Sequence, residues 1–269
     1  MHNRELLKYS KRNLYYALKR AQRYIPNILF KRTENHYLFI LSPPFCGSTL
    51  LNELISNSKH ISCNNNIGTR EGQTLPEVRK ILFDKERWKK EKNIPWNKIK
   101  TIWHKYWDLS KPILMDKSTP NIIRVADLKD TFKPASFIAL VRNPYAQCEG
   151  IMRRNNQSAE FAAKFAIKCL KYQRKNIENE KDLLFITYEE LCEKTPHIIN
   201  KINEFLPYKT SIKIKEKYNA HNFKSDKKMI ISNLNQEKIK KLSEKQLGII
   251  NSYFKKEKEL LKYFNYSII

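Results

Sequence analysis

The sequence predicts an α/β fold: a single three-layer domain with a central parallel sheet flanked by helices, a P-loop-like turn, an α-helical insert and a C-terminal helix. Three observations predict it. Short apolar runs alternate with longer helical patterns, as strand–helix–strand units require. The first apolar run breaks into a small-residue turn and then a helical pattern, YLFILSPPFCGSTLLNELISNS over 37–58. No internal repeat and no linker of domain-separating length interrupts the 269 residues, so one domain with an appended helix is the economical division.

The elements follow in order. Residues 3–24 form a basic helix with apolar positions at Leu6, Leu7, Leu14, Tyr15 and Leu18. It packs on the core, frays, or lies on a membrane surface. We place it within an appended segment, 1–30, with the α/β domain over 31–269 and a helical insert at about 75–108. The first strand is Tyr37–Leu41, followed by a helix after Gly47. Residues 59–73, rich in Asn and Ser, read as a loop. Helices are expected at 75–91 and 95–108, where Trp88, Trp96, Trp103 and Trp107 supply an aromatic core or a substrate-facing wall. Further strands are Ile113–Met115, Ser136–Val141 and Leu183–Thr187. Helices fill 120–132, 158–178, 188–194, 196–205 and 235–264.

Composition excludes several classes. The 5 Cys are scattered, with no C-x-x-C pair or Cys/His ligand spacing, so neither a disulfide nor a zinc framework is expected. No apolar run approaches the roughly 20 residues that span a bilayer, and no signal-peptide core opens the chain, so a cytoplasmic location is expected. The net charge of +25 is spread along the chain rather than gathered into one tract. If its field matters, the partner is anionic. No nucleic-acid motif accompanies the charge, so nucleic acid is not the expected partner.

Four constellations carry chemistry. In the first, Phe45, Cys46, Gly47, Ser48 and Thr49 make a tight turn between strand and helix. Such a turn aims backbone N–H groups and the positive end of a helix at one point, where a phosphate fits. It lacks the G-x-x-x-x-G-K-[ST] spacing of a Walker loop, which disfavours an ATPase, a GTPase or a nucleotide kinase. In the second, FIALVRNPYAQCEG sets Arg142 at the end of an apolar strand. Ligands of parallel sheets sit beyond the carboxyl ends of strands, and a guanidinium there binds phosphate bidentately. The third, LMDKSTPNIIR, sets Asp116 and Lys117 at another strand end. The fourth, FITYEELCEK, sets Tyr188 and Glu189 at a strand-to-helix junction.

These four pieces, in this order, resemble the sulfotransferase family, whose members transfer a sulfuryl group from 3′-phosphoadenosine 5′-phosphosulfate (PAPS) to an acceptor hydroxyl or amine. The family's 5′-phosphosulfate loop, P-[RK]-S-G-T-[ST], falls on P-F-C-G-S-T at 44–49. Its 3′-phosphate strand resembles VRNPYAQCEG, and its D/E-K-[ST]-P and Y-E-[DE]-L segments resemble DKSTP and YEEL. The resemblance spans roughly 37–206, and the terminal YFNY is similar to the family's closing helix. There are two departures. Phe45 replaces the loop's usual basic residue, and Gly150 replaces the Ser usual eight positions after the motif Arg, leaving more to Arg142, with help from Arg153 or Arg154.

The resemblance implies PAPS as co-substrate and a scheme that requires no metal. The Cys46–Thr49 amides and the Ser48 and Thr49 hydroxyls hold the 5′-phosphosulfate, Arg142 the 3′-phosphate, and Lys117 the charge on the bridging oxygen; Gly150 and Tyr188 complete the nucleotide site. The expected base is Glu71, in the segment where several members carry an acidic base, with Glu53, His60 and His104 as alternatives. The implied acceptor is a small molecule or glycan, a carbohydrate hydroxyl above all. A catalytically degenerate PAPS-binding protein on the same fold is the second reading, motivated by Phe45 and Gly150.

Overall fold

In the computed structural model, which describes residues 2–208, 210–214, 217–219 and 228–269, five strands form one parallel sheet. They are β1 (His36–Leu41), β2 (Ile61–Cys63), β3 (Ile113–Asp116), β4 (Ala135–Val141) and β5 (Leu183–Thr187), in the order β2-β3-β1-β4-β5. The register aligns their carboxyl ends: Phe39 lies opposite Asp116 on one side and Phe137 on the other, and Val141 lies opposite Thr187. Everything that follows these strands therefore emerges on one rim.

Alternation along β1 builds the three layers. Tyr37, Phe39 and Leu41 face a cluster shared with α1 (His2–Leu29), α3 (Pro76–Leu82), α4 (Trp96–His104) and α5 (Val125–Thr131). Leu38 and Ile40 face α2 (Ser48–Ile55), α8 (Tyr188–Glu193) and α9 (Thr195–Phe205). Both faces are dry, as the connections of a parallel sheet demand. A third cluster extends from Val141 through α6 (Pro144–Asn155) and α7 (Ala159–Asn179) to α11 (Glu244–Phe254) and α12 (Lys258–Tyr263). Two short strands, β6 (Lys217–Asn219) and β7 (Lys228–Ile230), pair antiparallel ahead of α10 (Asn235–Ile239).

The structure corrects four expectations. Residues 61–63, read as loop, are strand β2, which pairs with β3; three residues before an Asn run carry too little periodicity to announce a strand. The helix expected over 75–91 ends at Leu82, because the Asp84 carboxylate accepts from the Glu86 amide and turns the chain instead. That over 120–132 divides into a 3₁₀ turn (Thr119–Ile123) and α5 at Arg124, whose side chain reaches the carbonyls of Lys89, Lys90 and Lys92. That over 235–264 breaks where Ser243 starts a new helix through a capping box with Gln246. The tryptophans also resolve: Trp96, Trp103 and Trp107 are buried around Phe132, and half-buried Trp88 packs edge-on against Phe165.

Candidate active site

The loop after β1 starts from Pro43 and Pro44 and closes at Gly47, which precedes the first residue of α2. Gly47 has φ 91°, and a Cβ built on it would lie 2.4 Å from the Tyr188 ring, so this position requires glycine twice over. Its neighbour Phe45 also adopts the left-handed region, at φ 67°. The Cys46 amide donates to the Pro43 carbonyl (3.4 Å) and closes the turn. Burial pushes the Cys46 thiol well above its usual range, which keeps it protonated and inert.

Strand order sets a cation on each side of this loop. Lys117 follows β3, one neighbour of β1; its ammonium lies 3.2 Å from Ser48 Oγ and 3.4 Å from Thr49 Oγ1. It is fully buried, and burial lowers its pKa while the Glu71 and Asp116 carboxylates oppose the shift. Arg142 follows β4, the other neighbour. Its Nη1 donates to the Phe45 carbonyl (3.1 Å) and its Nε to Asn235 Oδ1 (2.7 Å), while the guanidinium lies 4.0 Å from the Tyr188 ring centroid. Its Nη2 is buried and makes no hydrogen bond among the described residues. A buried guanidinium nitrogen left without an acceptor, beside a glycine turn, is the donor set an anion completes.

Glu71 enters the same site. It is buried, its Oε1 lies 3.8 Å from Lys117 Nζ, and its Oε2 accepts from Gln73 Nε2. Asp116 holds the surrounding loops together: it accepts from Asn64, Asn121 and the amides of Gly72 and Ser118. Asn65 donates to the Glu71 carbonyl (2.9 Å) and accepts from the Tyr16 hydroxyl of α1 (3.3 Å). Glu189 accepts from the Asn143 amide (2.8 Å), Asn235 Nδ2 (2.5 Å) and Tyr266 (3.1 Å), fastening the C-terminal helices behind Arg142.

The two unusual positions meet. The Phe45 side chain turns onto α6, where a Cβ added to Gly150 would come within 2.8 Å of Phe45 Cβ and Cγ. The other candidates lie apart from the cluster or are otherwise engaged. Glu53 pairs with Arg70 at 2.5 Å. His60, before β2, and His104, against Tyr37 at the start of β1, sit at the amino end of the sheet, opposite the rim. Arg153 pairs with Glu149 (2.6 Å) and Arg154 is exposed, so neither joins Arg142. The pattern alone did not single out Asn235 or Gln73: Asn235 lies far along the chain from Arg142, and polar amides carry no spacing signal. All five cysteines are free thiols, and no group of three or more His, Cys, Asp or Glu that could hold a metal occurs among the described residues.

No family model matches the sequence, and no curated protein matches it significantly. Solved structures do. The sulfotransferase domain from the curacin biosynthetic pathway superposes with a TM-score of 0.54 at 15% identity, covering 88% of this chain and 100% of that one. The sulfotransferase domain of the Synechococcus PCC 7002 olefin synthase gives 0.54 at 17% identity, covering 89% and 98%. A sulfotransferase from Alicyclobacillus acidocaldarius gives 0.54 at 10% identity, covering 87% and 98%. With a glycine turn set between Lys117 and Arg142 on the rim of a parallel sheet in the order β2-β3-β1-β4-β5, this chain has the sulfotransferase fold.

Proposed function

We propose that the chain transfers a sulfuryl group from PAPS to a hydroxyl of an acceptor, with a carbohydrate or glycan as the acceptor class. The observation that carries this reading is the loop of 45–49 held between two buried cations, one of which has a donor nitrogen with no acceptor among the described residues. PAPS supplies the activated sulfuryl group when bound. Arg142 binds the 3′-phosphate through Nη2. The Gly47 turn and the Ser48 and Thr49 hydroxyls orient the 5′-phosphosulfate. Lys117 holds a fixed positive charge against the bridging oxygen, where negative charge grows as the sulfuryl departs; a charge preorganised in a dry site is worth far more than one in water. Glu71, 3.8 Å from Lys117, takes the hydroxyl proton.

The tests separate binding from chemistry. Arg142→Ala is expected to weaken adenosine 3′,5′-bisphosphate binding by about 10- to 100-fold in a calorimetric titration, the value of a charge-assisted hydrogen bond. Unchanged affinity removes Arg142 from the 3′-phosphate site. Glu71→Gln is expected to lower turnover by about 10²- to 10⁴-fold with PAPS affinity unchanged; full activity removes Glu71 as base. A second reading, a PAPS-binding protein without transferase activity, is favoured by one observation. Phe45 stands where the resembling loops carry a cation, and its side chain is committed to Gly150. Tight nucleotide binding with no transfer to any hydroxyl acceptor would select it.

A further inference from the structure

The inner face of α1 is bound to the domain residue by residue. Lys19 donates to the carbonyls of Cys63 (3.1 Å) and Asn64 (2.9 Å), and burial lowers its pKa to about 8. Arg23 pairs with Asp108 at 2.8 Å, and Asn27 exchanges hydrogen bonds with the backbone of His104, Trp107 and Leu109. The opposite face is left apolar. Leu14, Leu18, Ile25, Ile28 and Leu29 fall on one helical stripe, which Tyr24 borders and Phe30 continues. All are more than half exposed, from 53% at Leu18 to 69% at Tyr24. Because the inner face is bonded, this stripe has no route to burial against its own domain. A contiguous apolar surface of this kind marks an interaction site.

Charge selects the occupant. Lys11, Lys31 and Arg32 are exposed on the same segment, whose only acidic residues up to position 34 are Glu5 and Glu34, while Arg20 is paired with Glu77 of the domain. A second copy of the chain would bring like charges together around the stripe. An anionic bilayer presents the opposite sign with an apolar interior beneath. No helix among the described residues is long and apolar enough to cross a membrane, so the helix lies along the surface. We propose that the outer face of α1 docks the protein on anionic phospholipid, with the aliphatic stripe sunk at the headgroup boundary and the flanking cations against the lipid phosphates.

Flotation of the full chain with phosphatidylcholine vesicles, with and without phosphatidylserine, tests the proposal. The expected result is binding to the serine-lipid vesicles that weakens as salt rises. Ile25→Glu combined with Ile28→Glu is expected to lower that affinity roughly a hundredfold, and Lys31→Glu with Arg32→Glu roughly tenfold. These positions are exposed, so unchanged circular dichroism and an unchanged affinity for adenosine 3′,5′-bisphosphate accompany the loss. Absence of binding by the wild type, or binding that survives Ile25→Glu/Ile28→Glu, overturns the proposal. So does a lipid-free dimer by sedimentation velocity that the same pair of substitutions dissociates, which would assign the stripe to a second copy. The lipid readout is independent of sulfuryl transfer, so either reading can fail alone.

Discussion

At Gly150 a single missing methyl group decides whether the loop of 45–49 holds its shape. A Cβ there would stand 2.8 Å from Phe45, well inside van der Waals contact, and Phe45 is itself tied to Arg142 through its carbonyl. Gly150→Ser, which restores the hydroxyl that resembling strands carry, is therefore expected to destabilise the fold by about 1–3 kcal/mol through overpacking. It should also weaken nucleotide binding by moving the loop. Adding Phe45→Ala is expected to recover most of both losses, with a coupling of about 0.5–3 kcal/mol. Urea unfolding and a calorimetric titration across the four proteins measure it; strictly additive effects would show that the two side chains are independent. In the sequence each of these residues was visible as a departure from a motif. That they share one contact was not, because adjacency across so many positions is set by the sheet order.

Elements were legible where their periodicity ran long. The boundaries of β5 match the expected strand, and α7 and α9 match within a residue, since each is a long or well-bounded apolar pattern. Side-chain hydrogen bonds defeated the pattern elsewhere, as at Asp84 and Ser243, because a local carboxylate or hydroxyl competes with the helix for backbone amides. The tight packing of α4 on β1 has a measurable consequence. His104, bonded to the Tyr37 hydroxyl at 2.9 Å, has its pKa lowered from 6.5 to about 4, by burial first and by Lys100 and Lys31 next. A group whose folded pKa is depressed contributes its stability above the unfolded value and loses it as pH falls through the folded one. Thermal stability is thus expected to fall between about pH 6.5 and pH 4, by up to roughly 3 kcal/mol. His104→Gln should flatten that part of the profile; an unchanged slope would assign the loss to other groups.

Across the whole molecule, the class of fold was legible and the order of its strands was not. Alternating strands and helices specify a parallel sheet, but the alternation is silent on which strands are neighbours. The order matters here, since β1 lies between β3 and β4 and so its loop lies between Lys117 and Arg142. The basic excess is legible in kind only. Several cations sit in exposed pairs such as Lys164–Glu160, Arg174–Glu178 and Lys241–Glu237, where solvent screens the attraction. The unpaired remainder is what an anionic partner would meet.

One small linkage, Tyr16 to Asn65 to the Glu71 carbonyl, ties the outermost helix to the carboxylate loop. Any force that slides α1 must either rupture that link or drag the loop along with it. The loop that carries Glu71 and the seat of the outer helix thus share one hydrogen-bonded junction at Asn65.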